Sequence, residues 1–121
     1  MRHRSKKAIL NRPADQRKAM MRNLMTSLFL EGALKTTDAK ARALSSAAEK
    51  LITLVKGKEE YQAIRELMSV VHTKASSHKA LEYIKSSTRT SGYTRLTKIG
   101  RRAGDGALMV QVELIPDTPS A

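Results

Sequence analysis

The sequence predicts an α+β fold, a two-layer α/β arrangement in which helices cover one face of a small sheet of two or three strands. Three observations predict it. Apolar residues recur at three- and four-residue steps through most of the chain up to Ser87, as the buried stripe of a helix requires. Near the C-terminal end, apolar and polar residues alternate at period two, as in a strand buried on one face. A glycine-rich segment just before that strand supplies a hairpin turn. The 121 residues suffice for one core, burying roughly two-thirds of the unfolded surface. The order read along the chain is helix, strand, three helices, hairpin, and so small a sheet needs a covering layer.

The first helix begins at Pro13, where a missing N–H costs nothing, with Asp15 favoured by the helix dipole. Met20, Met21, Leu24, Met25, Leu28 and Phe29 form its stripe, and Gly32 stops it. Ala33 to Thr37 reads as a short edge or parallel strand. Thr37 is then placed to cap the second helix, in which Leu44, Ala47, Ala48, Leu51, Ile52, Leu54 and Val55 make a broad apolar face ending at Gly57. A third helix is predicted from Glu59 to about Thr73 on Tyr61, Ile64, Met68 and Val71. A fourth, from Ser77 to about Ser87, rests on Leu81, Tyr83 and Ile84. Ser86 to Gly92 is a Ser, Thr and Gly loop. Tyr93 to Ile99 and Leu108 to Ile115 are the hairpin strands, and the glycines at 100, 104 and 106 between them predict a basic, mobile tip. Three regions follow: a basic arm over 1–12, one globular domain over 13–115 and a disordered tail over 116–121.

Charge narrows the function. There are 23 Lys and Arg against 11 Asp and Glu, a net charge of +12, and such an excess calls for a polyanion as counter-charge. Arg2, Arg4, Lys6, Lys7, Arg12, Arg17, Lys18 and Arg22 put eight cations in 22 residues against one acid, Asp15, a density that displaces counterions on meeting phosphates. His3 lies among them as a phosphate neighbour. A second run, Lys85, Arg89, Arg95, Lys98, Arg101 and Arg102, has no acid between its ends, and Tyr93 sits in it with equal claims to the core and to base stacking. Aromatics are only 3% of the chain, so recognition of folded RNA through backbone and shape is favoured over a single-strand stacking platform. The methionines are assigned to packing.

Other classes find little support. The chain lacks cysteine, so thiolate metal sites and disulfides are out, which suits a reducing, cytoplasmic compartment. His3, His72 and His78 have no paired ligand spacing, the glycines fit neither nucleotide fingerprint, and no nucleophile and base are paired. No cofactor, no small-molecule substrate and no membrane partner are expected, since no apolar run approaches a span and the basic start lacks the apolar stretch of a signal peptide. A nucleoid-type DNA-binding protein would use the same charge, but neither helix-turn-helix spacing nor a minor-groove wedge is present. An enzyme acting on RNA would need a catalytic constellation.

Met1-Arg2-His3-Arg4, Asn11-Arg12, Arg17-Lys18-Ala19-Met20 with Arg22-Asn23, Ser27-Leu28-Phe29, Thr36-Thr37, Lys40-Ala41, Glu49 to Leu54, Gly92-Tyr93-Thr94-Arg95, and Gly104-Asp105 before Val112-Glu113-Leu114 carry a resemblance. In order and spacing together, over nearly the whole chain, the sequence resembles the bacterial large-subunit ribosomal protein L17 family. The resemblance implies a non-enzymatic, ribosome-bound protein on 23S ribosomal RNA near the outer end of the peptide exit tunnel, with neighbouring large-subunit proteins as partners. It also implies that the Arg2-His3-Arg4 arm threads into RNA, and that Thr36, Thr37, Lys40 and the basic hairpin contact it.

Overall fold

The computed structural model describes residues 9–116. Arg2, His3, Arg4, Lys6 and Lys7 of the expected arm, and the expected tail beyond residue 116, lie outside the described residues. The elements are helix α1 (Ala14–Glu31), strand β1 (Ala33–Thr37), helices α2 (Asp38–Val55), α3 (Glu60–Val70) and α4 (Lys74–Ser86), and strands β2 (Thr94–Arg101) and β3 (Leu108–Leu114). This is the predicted α+β order.

The sheet runs β1-β3-β2 and is antiparallel throughout, so the strand expected at an edge does lie at one. Its register fixes the two faces. Val110 and Val112 of β3 stand opposite Thr36 and Leu34 of β1 and turn toward the helices, while Met109, Gln111 and Glu113 turn away with Thr37, Lys35 and Ala33. The inner face joins Met25, Leu28 and Phe29 of α1, Leu44, Ala48 and Ile52 of α2, Leu67 of α3 and Leu81 and Ile84 of α4 in one core. At Gly32 the chain must turn from α1 straight into β1, and it takes a left-handed conformation (φ 81°) while its N–H donates to the Leu28 carbonyl at 2.7 Å. Lys79 of α4 donates to the neighbouring Leu30 carbonyl, bringing positive charge to a helix end that has none of its own.

Several local expectations are corrected. Thr37 stands at the start of α2, but its side chain makes no capping hydrogen bond; the nearest support is an Asp38–Arg42 ion pair one turn on. Leu54 is 52% exposed, outside the apolar face assigned to it. Of the predicted α3 stripe, Ile64 and Val71 pack on the core, but Tyr61 (62%) and Met68 (43%) lie outside and Ala63 and Leu67 are the helix's fully buried residues, because a short helix packed beside α4 buries a narrow stripe and a small alanine permits close approach. Helix α4 starts at Lys74 rather than Ser77: the Thr73 hydroxyl accepts the Ser76 N–H, and the hydroxyls of fully buried Ser76 and Ser77 donate to the Thr73 carbonyl.

The loop from Ser87 to Gly92 is held by a lysine. Lys56, at the end of α2, donates through Nζ to the carbonyls of Ser87 and Arg89 and lies 5.4 Å from the centre of the Tyr93 ring. Lys56→Met keeps the aliphatic stem and removes the donor, leaving two half-buried carbonyls without their partner. The expected result in urea denaturation is a loss of about 1.5–3 kcal/mol with an unchanged dependence on denaturant.

Candidate nucleic-acid interface

Two cationic surfaces emerge from this fold. The first is the β2–β3 hairpin, which projects past the helical layer: apart from Thr94, every residue of β2 is exposed, including Leu96 and Ile99. Arg95 stands across from Glu113 on the open face of the sheet and pairs with it at 2.5 Å. A bulge between Lys98 and Gly100 shifts the alternation, so Arg101 faces the side opposite to the one it would take in an unbroken strand. Gly100 accommodates that irregularity at φ 139°, a conformation that side chains disfavour.

The hairpin tip is bonded rather than loose. Arg102 forks onto Asp105, Nε to Oδ1 at 2.8 Å and Nη2 to Oδ2 at 2.6 Å, and Asp105 also accepts the Ala107 N–H. Arg101 donates to the Gly106 carbonyl. Hydrogen bonding to Arg102, then to the Ala107 amide, holds the Asp105 carboxyl far below the usual carboxylate range. A depressed carboxyl stabilises the folded turn above its unfolded pKa, and that contribution fades as pH falls through the folded value. The Arg102–Asp105 fork is therefore expected to survive acidification below pH ~3.9, the ordinary aspartate value. The Arg102 Nε resonance in NMR should keep its bonded position there, and Asp105→Asn should release it at neutral pH.

The second surface is a groove of about 720 Å³ between α1, α2 and the end of α3. Its rim carries Arg17, Lys18 and Arg22 from α1 and Arg42 and Lys50 from α2, while Leu10, Met21, Met25, Ala43, Ala47 and Val70 give it an apolar lining. No acidic residue lines it. Arg42 and Lys50 lie eight residues apart on α2, with Ser46 between them at helical spacing, which puts all three along one side of the helix. The next side of α2 reaches the hairpin, where the Ser45 hydroxyl meets that of Thr94 at 2.6 Å. Helix α2 thus joins the groove to the hairpin.

The residues singled out from sequence divide between surface and structure. Arg12, Lys18, Arg95, Lys98, Arg101 and Arg102 are exposed; Arg17, Arg22, Thr37 and Lys40 are partly exposed. Arg22 also has a structural task, its Nε donating to the Val70 carbonyl at 2.9 Å while its own carbonyl accepts the Thr26 hydroxyl, which in turn accepts the His72 N–H. Thr36 is buried, 8% exposed, on the helix-facing side of β1. Tyr93 is corrected outright: at 1% exposure its ring offers no face to a base, and its hydroxyl donates to the Arg89 carbonyl. Arg42 and Lys50 were not singled out, because both lie outside the two cation-dense stretches, Arg42 with only Lys40 near it and Lys50 beside Glu49; helical spacing was the signal that pairs them. Among the described residues no group of three or more His, Asp or Glu is placed to hold a metal ion, and no helix is long and apolar enough to cross a membrane.

Residues 20–115 match the family model described as ribosomal protein L17. A large ribosomal subunit protein bL17 from Desulforapulum autotrophicum is 44% identical over 119 residues, 97% of this chain and 98% of that protein. A protein of the same description from Clostridium botulinum (strain Loch Maree / Type A3) is 45% identical over 108 residues, 88% of this chain and 95% of the relative.

Proposed function

Because the chain belongs to the ribosomal protein L17 family, we propose that it is a structural constituent of the large ribosomal subunit, binding and stabilising folded 23S ribosomal RNA near the peptide exit tunnel, with neighbouring large-subunit proteins as further partners. It is not an enzyme. The observation that carries the reading is that groove and hairpin, joined by α2, present cations from α1, α2, β2 and the hairpin turn, and that no acidic residue lines the groove, although Arg42, Arg95 and Arg102 each also meet one carboxylate. Such a surface neutralises phosphates spread over a folded polyanion, where positioning comes from backbone contacts.

The RNA-contacting set is Arg2, His3, Arg4, Lys6, Lys7 and Arg12 of the arm, Arg17, Lys18 and Arg22 of α1, Thr37 and Lys40 at the start of α2, and Arg95, Lys98, Arg101 and Arg102 of the hairpin, with Arg42 and Lys50 added by the groove. Thr36, buried on the helix-facing side of β1, leaves the set. Sedimentation of cell lysate tests the assignment. Retention with the large subunit through a high-salt wash is the expected result; recovery in a free pool or with the chromosome overturns it.

A further inference from the structure

The α1–α2 groove has a chemistry that phosphate binding alone does not explain. A paired RNA backbone presents charge and ribose, and gains nothing from an apolar floor. Here the floor is half-exposed Met21, Ala43 and Ala47, backed by buried Met25, and the cations stand around it, with Arg17 on the α1 side and Lys50 and the Asp38-paired Arg42 on the α2 side. A volume of about 720 Å³ falls within the range of pockets that enclose small ligands, roughly 300–1,000 Å³. We propose that this groove is the seat of a single unpaired nucleotide of the RNA, its base laid on the methionine floor and its flanking phosphates held by Arg17, Arg42 and Lys50. The proposal rests on the reading of the chain as an RNA-bound protein.

Three observations favour this occupant. Thioether sulfur packs well against aromatic systems, and guanidinium planes stack on bases, so methionine and arginine together can hold a base where aromatic side chains are lacking. They are lacking here: Phe29 and Tyr93 are buried, Tyr83 is half-buried and bonded to the Tyr93 and Ile115 carbonyls, and Tyr61 is exposed on α3 and does not line the groove. The chain enters the described structure at Ile9, and the next residue, Leu10, lines the groove. The cation-rich sequence preceding Ile9 thus joins the described chain one residue from a groove-lining position, so one RNA strand can meet both sets of cations. The arm itself is a poor occupant, since its cations would meet those of the rim.

The test is a photo-crosslink in the assembled large subunit, with a diazirine analogue of methionine encoded at position 21, whose half-exposed side chain tolerates the change. A crosslink to one unpaired nucleotide of 23S RNA is expected. Ala43→Gln, which fills the floor without changing charge, should abolish that crosslink while the protein still sediments with the subunit. A crosslink to a neighbouring protein, to a base-paired segment, or to nothing overturns the proposal, as does a crosslink that Ala43→Gln leaves intact. Failure of the unmodified chain to sediment with the subunit would instead overturn the ribosomal reading, so the two are separable.

Discussion

Replacing Arg2, Arg4, Lys6, Lys7 and Arg12 together by Gln is expected to lower affinity for 23S RNA by about 3.5–4.5 orders of magnitude near 0.1 M salt. The magnitude follows from counterion release. Each phosphate contact contributes roughly 0.7–0.9 to the slope of log affinity against log salt, hence somewhat under a decade at 0.1 M, and five such side chains are removed. The same variant should keep its thermal midpoint. Arg12 is exposed and its hydrogen bonds run through its backbone, the N–H donating to the Ile9 carbonyl at 3.3 Å and the carbonyl accepting from Arg17 at 3.4 Å, so replacing its side chain leaves them in place. Removing like charges also relieves self-repulsion in a chain of net charge +12. Filter binding over a salt series reads both quantities: the slope should fall by about 3.5–4.5, and an unchanged slope would place the arm off the phosphates.

How much of this was legible in the sequence depended on whether a signal was local. The α1 stop at Gly32 and the alternation of β3 were legible, because a left-handed cap and a period-two pattern are properties of a few adjacent residues. The partner of β1 was not. Its pairing with β3 joins residues almost eighty positions apart, and nothing in ALKTT distinguishes that partner from β2. The α3 stripe was half right: Ile64 and Val71 do pack on the core, but Tyr61 and Met68 stand outside, and helix packing selected the small Ala63 that the larger apolar residues hid. The start of α4 was read three residues late, at Ser77, and only the Thr73 cap reveals why Ser76 and Ser77 can be buried whole.

The interface was legible as charge density and illegible as geometry. Density found the arm, the first helix and the hairpin, where cations are consecutive. It could not separate a cation facing solvent from one tying the fold together, so Lys56 went unremarked and Arg22 was read for phosphate alone, although both bond to backbone carbonyls across the molecule. It also missed Arg42 and Lys50, whose proximity to α1 exists only after two helices pack.

Tyr93→Ala is expected to cost about 3–5 kcal/mol, the usual penalty for removing a fully buried aromatic ring, against a total stability of roughly 5–15 kcal/mol for a domain of this kind. Five groups converge on this residue. Glu49 of α2 accepts its N–H at 2.9 Å, Ile115 and Tyr83 donate to its carbonyl, its hydroxyl donates to the Arg89 carbonyl at 2.8 Å, and the Lys56 ammonium lies near its ring. The residue thereby fixes the loop after α4, the start of β2 and the end of β3 at one point. Tyr93→Phe keeps the ring and loses one hydrogen bond, so urea denaturation should show only about 0.5–1.5 kcal/mol. The pair of variants also separates packing from stacking. Base stacking on an aromatic side chain is worth about 1–3 kcal/mol per base, and Tyr93→Phe would preserve it while Tyr93→Ala would abolish it even in the folded fraction. With a ring 1% exposed, RNA affinity corrected for the folded fraction should be the same for Tyr93→Ala, Tyr93→Phe and the unmodified chain. A folded Tyr93→Ala protein that had lost a stacking energy would show that the ring leaves the core on RNA.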